Sequence, residues 1–339
     1  MNLSIVDLAP VPDGGTATEA YENTVELART AEKLGYSRFW VAEHHGMADS
    51  IASTTPETLI AYLASAIDEI RIGSGTVLLN HYQPFKVAET FATLDALAPG
   101  RVDLGLGRAT GIPAVDRALG TRRQKRNPDE DHAEKIDATV SHLYDGFPDD
   151  HPYAELQLPR SADDVPEVWV LGSSPSSAEI AGSLGLRYCF AGFIRPNLAE
   201  RAFETYRGSF EPSSVGAGPD EPDGMLAMNV ACAETDGEAA RLRATAEATY
   251  ERMRRGDVGR TPTVEDAINE FGGVPEPTPN PLPDGDWPRS ISGSPATTTD
   301  LLEQLTDRVG VDDVIVQNII ADHDDVLRSH ELIANGFDR

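Results

Sequence analysis

The 339 residues include 28 basic and 56 acidic side chains, a formal net charge of -28. A field of that sign repels nucleic acid and anionic membrane surfaces, so neither is an expected partner. Hydrophobic residues at 40% and charged residues at 25% give material for a core, and no run reaches the roughly 20 apolar residues of a membrane helix. The N-terminal MNLSIVDLAP has neither a basic region nor a cleavage site, which points to a cytoplasmic location. Lysine occurs only at Lys33, Lys86, Lys125 and Lys135 against 24 arginines, and the acid surplus reads as a halophilic surface whose self-repulsion salt would screen. Cys189 and Cys232 sit in the apolar stretches YCFAGF and VACAE and read as buried thiols, not as a disulfide framework.

Strand-like and helix-like segments alternate from the start. A strand over 3–9 precedes a helix over 16–36, where Ala20, Thr24, Leu27, Ala28, Ala31 and Leu34 recur at helical spacing and Gly35 supplies a stop. Further strand and helix pairs follow at 37–45 and 56–67, at 70–79 and 85–98, at 101–107 and about 130–145, and at 167–172 and 177–185. The series continues with 186–193 and 198–210, with 225–234 and 236–255, and with an eighth strand at 313–320 closed by a helix. Eight such units joined by right-handed crossovers predict an α/β fold, a TIM-like (β/α)8 barrel, with a doubly wound open sheet as the alternative. The whole chain, 1–339, reads as one barrel domain with a long Pro-rich insertion at about 256–296, before strand eight. Prolines at 275, 277, 279, 281 and 283 exclude a central strand or helix interior there, and the insertion reads as a lid or wall of the barrel mouth or as a solvated loop.

In a parallel barrel the reactive groups belong at the C-terminal strand ends. Those ends hold Glu43-His44-His45, Gly73-Ser74-Gly75-Thr76, Gly105-Leu106-Gly107-Arg108, and Gly172-Ser173-Ser174-Pro175-Ser176-Ser177. Adjacent histidines on a strand point to opposite faces, so His44 and His45 do not chelate one metal, and no metal site is expected. One of the pair, facing the mouth, suits proton handling near neutral pH, unless the two merely cap the strand. Ser173, Ser174 and Ser177 open a helix whose N-terminus would cradle a phosphate, with Arg108 as countercharge; the alternative is serine capping and a surface arginine. The glycines around 105–111 miss the dinucleotide-binding spacing.

GYSRFWVAEHHGM, followed by IRIGSGTVLLNHYQPFKVAETFATLDALAPGRVDLGLGRATG, resembles the second to fourth βα units of the bacterial luciferase-like flavin monooxygenases. WVLGSSPSSAEIAGSLGL is similar to that family's flavin-phosphate segment, and VGVDDVIVQNIIADHDDVLRSHELIA to its final strand and helix. The resemblance implies a barrel that binds reduced FMN at its mouth, with His44 as the catalytic histidine beside the isoalloxazine ring. It also implies Arg108, Ser173, Ser174 and Ser177 at the phosphate end, with Glu43, Gly75 and Thr76 completing the cofactor-binding set. A cis peptide at Gly75–Thr76, in a bulge beneath the ring, is expected on the same ground. The implied reaction joins reduced flavin and O2 to oxygenate a small organic substrate, with a separate flavin reductase as partner and a homodimer as assembly. Ala61, Ala64, Ser65, Ala66, Ala88, Ala92 and Ala96 would allow close helix approach in such a dimer. Gly107 stands where luciferase has a cysteine and Ser173 where it has a glutamate, which argues against aldehyde luminescence. A deazaflavin (F420) branch that transfers hydride is the alternative, but its second strand ends in an Asp-His pattern and not Glu-His-His. A flavin-binding barrel without turnover is the remaining alternative.

Overall fold

The computed structural model describes residues 1–108, 113–120, 128–160, 165–257 and 259–337. In chain order the elements are β1 (Asn2–Asp7), α1 (Ala17–Lys33), β2 (Arg38–Val41), α2 (Pro56–Ala64), β3 (Arg71–Ser74), β4 (Val77–Leu78), α3 (Pro84–Leu97) and β5 (Val102–Gly107). Then come α4 (Pro113–Ala118), α5 (Pro128–Leu143), β6 (Glu167–Gly172), α6 (Pro175–Ser183), β7 (Arg187–Ala191), α7 (Ala199–Ser209) and β8 (Gly224–Cys232). The chain closes with α8 (Asp236–Arg255), α9 (Val264–Phe271), β9 (Ser290–Gly293), α10 (Pro295–Val309), β10 (Asp313–Gln317) and α11 (His323–Phe337).

All strand pairings are parallel, and the ladder closes on itself because β10 pairs with β1 through Asn2↔Asp313 and with β8 through Asp313↔Met225. The architecture is therefore a closed eight-strand TIM-like barrel flanked by helices, and the open sheet is excluded. Period-2 alternation sorts each strand's side chains. Val6, Trp40, Trp169, Cys189, Met225, Ala227 and Ile315 fill the interior. Ile5, Phe39, Val41, Ile72, Leu104 and Val316 turn outward onto the helices. Both cysteines are buried free thiols, and burial pushes the Cys232 thiol up to about 11.

The barrel floor, at the N-terminal strand ends, is an ionic plug. Asp103, fully buried, accepts from Arg38 at 2.6 Å, from Arg71 at 2.5 Å and from Trp40 Nε1 at 3.1 Å. Glu167 joins Arg38 at 3.1 Å and Arg71 at 3.4 Å, and these arginines hold its carboxyl below the usual carboxylate range despite burial. Two carboxylates thus tie together the starts of four strands.

The described residues of 256–296 form more regular structure than the prolines suggested. α9 forms ahead of them, with Thr263 accepting from Asp266 N at the helix start and Gly272 in the left-handed conformation at its end. β9 forms after them and extends the sheet by pairing with β8. The helical repeat Leu301, Leu302, Leu305, Val309 then builds α10, which the eight-unit reading had not anticipated. The Arg260 guanidinium donates to the carbonyls of Asp49 at 2.9 Å, Pro12 at 3.1 Å and Gly15 at 3.2 Å, so this segment is fastened to the loops that follow β1 and β2. No described helix is long and apolar enough to cross a membrane.

Candidate active site

β2 leaves the ladder at Val41, four residues before the expected strand end, yet alternation persists. Glu43 and His45 share one side, where Glu43 Oε1 lies 2.6 Å from His45 Nε2 and accepts from the Tyr82 hydroxyl at 2.6 Å. Its second oxygen accepts from Leu78 N at 2.8 Å, and the side chain is fully buried. The Glu43 carboxylate thus clamps the segment that follows β4 with both oxygens engaged. His44 follows Trp40 and Ala42 on the interior side. Its backbone N–H is held by Ser53 O at 2.9 Å, whereas its buried Nδ1 has no hydrogen-bond partner among the described residues. Burial, reinforced by His45, lowers its pKa to about 4, so the ring is neutral at pH 7.

Next to this turn, β3 and β4 run along β5 with one residue too many. Four steps from Gly73 to Val77 span three from Asp103 to Leu106, which is a bulge centred on Gly75 and Thr76. The Gly75–Thr76 peptide is cis, as expected. Side chains are excluded here: a Cβ on Gly75 would press on Val6 and Trp40 at 3.2 and 3.3 Å, and one on Gly107 would collide with Thr76. The glycines let Thr76 pack directly on the backbone of β5, and Val6 and Trp40 on that of the bulge.

The structure gives Arg108 and the serines other partners. Arg108 is half exposed, ion-paired with Asp129 of α5, and its carbonyl accepts from Asn80 Nδ2 at 2.8 Å. Ser174 caps α6 by accepting from Ser177 N at 3.4 Å. The Ser177 hydroxyl donates to Ser174 O at 2.7 Å and meets the buried Tyr188 hydroxyl at 3.2 Å. Ser173 is half-buried beside them. No described contact links Arg108 to these serines.

Some polar residues at the mouth were not singled out in the sequence. Asn229 is 1% exposed, and Gln317 is also buried. They are register partners on β8 and β10 and point inward, and Gln317 Oε1 accepts from the Tyr250 hydroxyl at 3.3 Å. A polar residue at an inward position of an apolar strand, as in GMLAMNVAC and DVIVQ, was the available signal. Tyr82 had no such signal, since its role depends on the fold of 75–82. Among the described residues no group of three His, Cys, Asp or Glu side chains fits a metal ion.

Residues 1–312 match the model of the family described as luciferase-like monooxygenase. The chain belongs to that family. Bacillus subtilis YceB, an uncharacterized protein, is 37% identical over 99% of both chains. The Escherichia coli K12 luciferase-like monooxygenase is 35% identical over 97% of this chain and 95% of its own. The crystal structure of apo-MsnO8 superposes with a TM-score of 0.87 at 40% identity, covering 99% of this chain and 98% of that one. A Bacillus subtilis N-acetyl-S-alkylcysteine monooxygenase is 42% identical over 62% of each chain. The same fold, at 22% identity and a TM-score of 0.72, is that of the oxygenating constituent of 3,6-diketocamphane monooxygenase in complex with FMN. It also occurs, at 16% and 0.67, in an F420-dependent tetrahydromethanopterin reductase.

Proposed function

We propose that this family member is the oxygenating component of an FMN-dependent monooxygenase, acting on a small organic substrate and supplied with reduced FMN by a separate reductase. The observation that carries the reading is His44: a neutral, half-buried imidazole whose buried Nδ1 has no partner among the described residues, on the interior side of the mouth and backed by the Glu43–His45 clamp. An orphaned buried polar atom calls for a ligand.

The residues present fit a flavin. The start of α6 with Ser173 and Ser174 offers N–H groups and hydroxyls to a phosphate. Arg108 would hold the same phosphate by exchanging Asp129 for it. Bound reduced flavin would supply the electrons that activate O2. His44 would hold or pass a proton at Nδ1, and Glu43 holds Leu78 and Tyr82 in place beside it. The relatives with monooxygenase names support the choice of O2 chemistry.

The test is anaerobic titration with reduced FMN and, separately, with reduced F420, followed by admission of O2. The expected result is saturable FMN binding, O2 consumption that depends on substrate, and Arg108→Ala binding weakened about 10- to 150-fold, the worth of a charge-assisted hydrogen bond. Binding of F420 alone, or an Arg108→Ala protein that binds FMN unchanged, would overturn the cofactor or the arginine assignment respectively.

A further inference from the structure

The mouth contains a second cluster of unsatisfied donors, on the rim formed by β8, β9 and β10. β8 pairs with β10 as far as Asn229 and with β9 from Asn229 onward, so Asn229 has Gln317 on one edge and Ser290 on the other. Register partners in parallel strands present their side chains to the same face. Asn229 and Ser290 are 1% and 3% exposed, and neither Asn229 Nδ2 nor Ser290 Oγ has a hydrogen-bond partner among the described residues. Arg289, the residue just before Ser290, has its guanidinium 4.9 Å above the ring of Tyr250, whose hydroxyl reaches Gln317. The stacking orients the Arg289 plane but uses none of its N–H donors. In a chain with twice as many acidic as basic residues, this half-buried cation has no carboxylate or carbonyl partner among the described residues.

A cation, a buried amide N–H2 and a buried hydroxyl, all without acceptors, form a site for an oxyanion. We infer that Arg289, with Asn229 and Ser290, binds a carboxylate of the organic substrate. The inference rests on the monooxygenase reading for the word substrate, but the site itself does not depend on it. β10 and β1 lie between β8 and β2, so Asn229 is three strand spacings, about 14 Å along the sheet, from the strand that delivers His44, and Ser290 on β9 lies one spacing beyond it. A short acid held there by its carboxylate would extend its other end toward the imidazole. The alternative source of an oxyanion is the flavin phosphate, and the test separates the two.

The experiment uses the full-length protein, with and without FMN, at fixed ionic strength. Calorimetric titrations with straight-chain monocarboxylates from butanoate to octanoate are compared with the matching primary amides. Wild type is expected to prefer acid over amide by at least about tenfold, with or without flavin. Arg289→Gln is expected to lose that preference, Arg289→Lys to keep part of it, and Asn229→Ala to reduce it several-fold, while FMN affinity stays within about threefold throughout; these are the scales of lost charge-assisted and neutral hydrogen bonds. Equal binding of acid and amide, or acid binding unchanged in Arg289→Gln, overturns the site. FMN binding weakened in Arg289→Gln as strongly as acid binding assigns it to the phosphate and overturns the substrate role. Acid-selective binding by a protein that does not take up FMN keeps the site and rejects the flavin reading instead. Far-UV circular dichroism checks each variant's fold, and Arg289→Lys keeps the test valid if Arg289→Gln does not fold.

Discussion

Glu43 and His45 meet at 2.6 Å across the one residue between them, and that contact leaves His44 alone on the other side of the chain. The division of labour is testable from both sides. Glu43→Leu removes the acceptor for the buried Leu78 N–H and the half-buried Tyr82 hydroxyl. The expected cost is about 1–3 kcal/mol for each donor left unpaired. It is read as a lowered urea midpoint, and a loss below about 0.5 kcal/mol, the size of an ordinary surface change, would remove the clamp.

His44→Ala acts on chemistry. No described side chain depends on its ring for a hydrogen bond, so the fold and FMN affinity should stay within a few-fold of wild type. Turnover with reduced FMN should fall by about 10² to 10⁴, the range for a positioned proton donor or acceptor. Steady-state rates beside an FMN titration make the comparison, and normal turnover would take the proton role away from His44.

At the opposite end of the barrel, Asp103→Ala should damage stability without touching the mouth. The substitution leaves Arg38 and Arg71 facing each other with only Glu167 between them. Breaking a buried ion pair typically costs about 3–5 kcal/mol. Denaturant unfolding measures it, and a variant as stable as wild type would mean that water already screens the plug.

Acid should weaken the fold before the carboxylates titrate. Burial lowers His44 and His132 to about 4 and His330 to about 3, against 6.5 for a free histidine. Between those values the unfolded chain binds protons that the folded one excludes, so stability rises with pH. It is complete above about 6.5 and is lost as pH falls toward 4. Urea midpoints at pH 7.5 and 5 in the same KCl concentration give the sign, and equal midpoints would contradict these three burials.

Salt should act in the other direction. With a net charge of -28, mostly on exposed carboxylates, melting temperature should climb as KCl rises from about 0.1 to about 1 M, where the screening length shortens from about 10 to 3 Å. The buried floor pairs are screened little, so the gain measures surface repulsion. A flat profile would reject the halophilic reading.

The barrel was legible in the sequence because each of the eight units carries its own periodicity. α8 was placed at its observed ends, and the strand ends named the residues around the mouth. What the sequence did not disclose depends on pairing between distant segments. Tyr82 matters only because the bulge at Gly75 brings it to Glu43, 39 positions earlier. α10 was overlooked because the prolines just before it drew attention to an interruption instead of to the Leu301–Val309 repeat behind it. Arg108 reads locally as a phosphate countercharge or a surface arginine, and nothing local announces that it pairs with Asp129 of α5.

The path of α11 has a practical consequence. It starts beyond the C-terminal end of β10 and runs back past the body of the barrel, where the His330 carbonyl accepts from the Tyr36 hydroxyl at 3.0 Å, close to the start of β2. β1 begins at that same end. Anything joined ahead of Asn2 or behind Phe337 therefore emerges beneath the Asp103 plug, with the height of the barrel between it and His44. A reductase fused at either terminus would need a tether long enough to round the outside of the helices before it could hand over flavin directly. Joining the two termini to each other, and reopening the chain in an outer loop, should by the same geometry leave the mouth undisturbed.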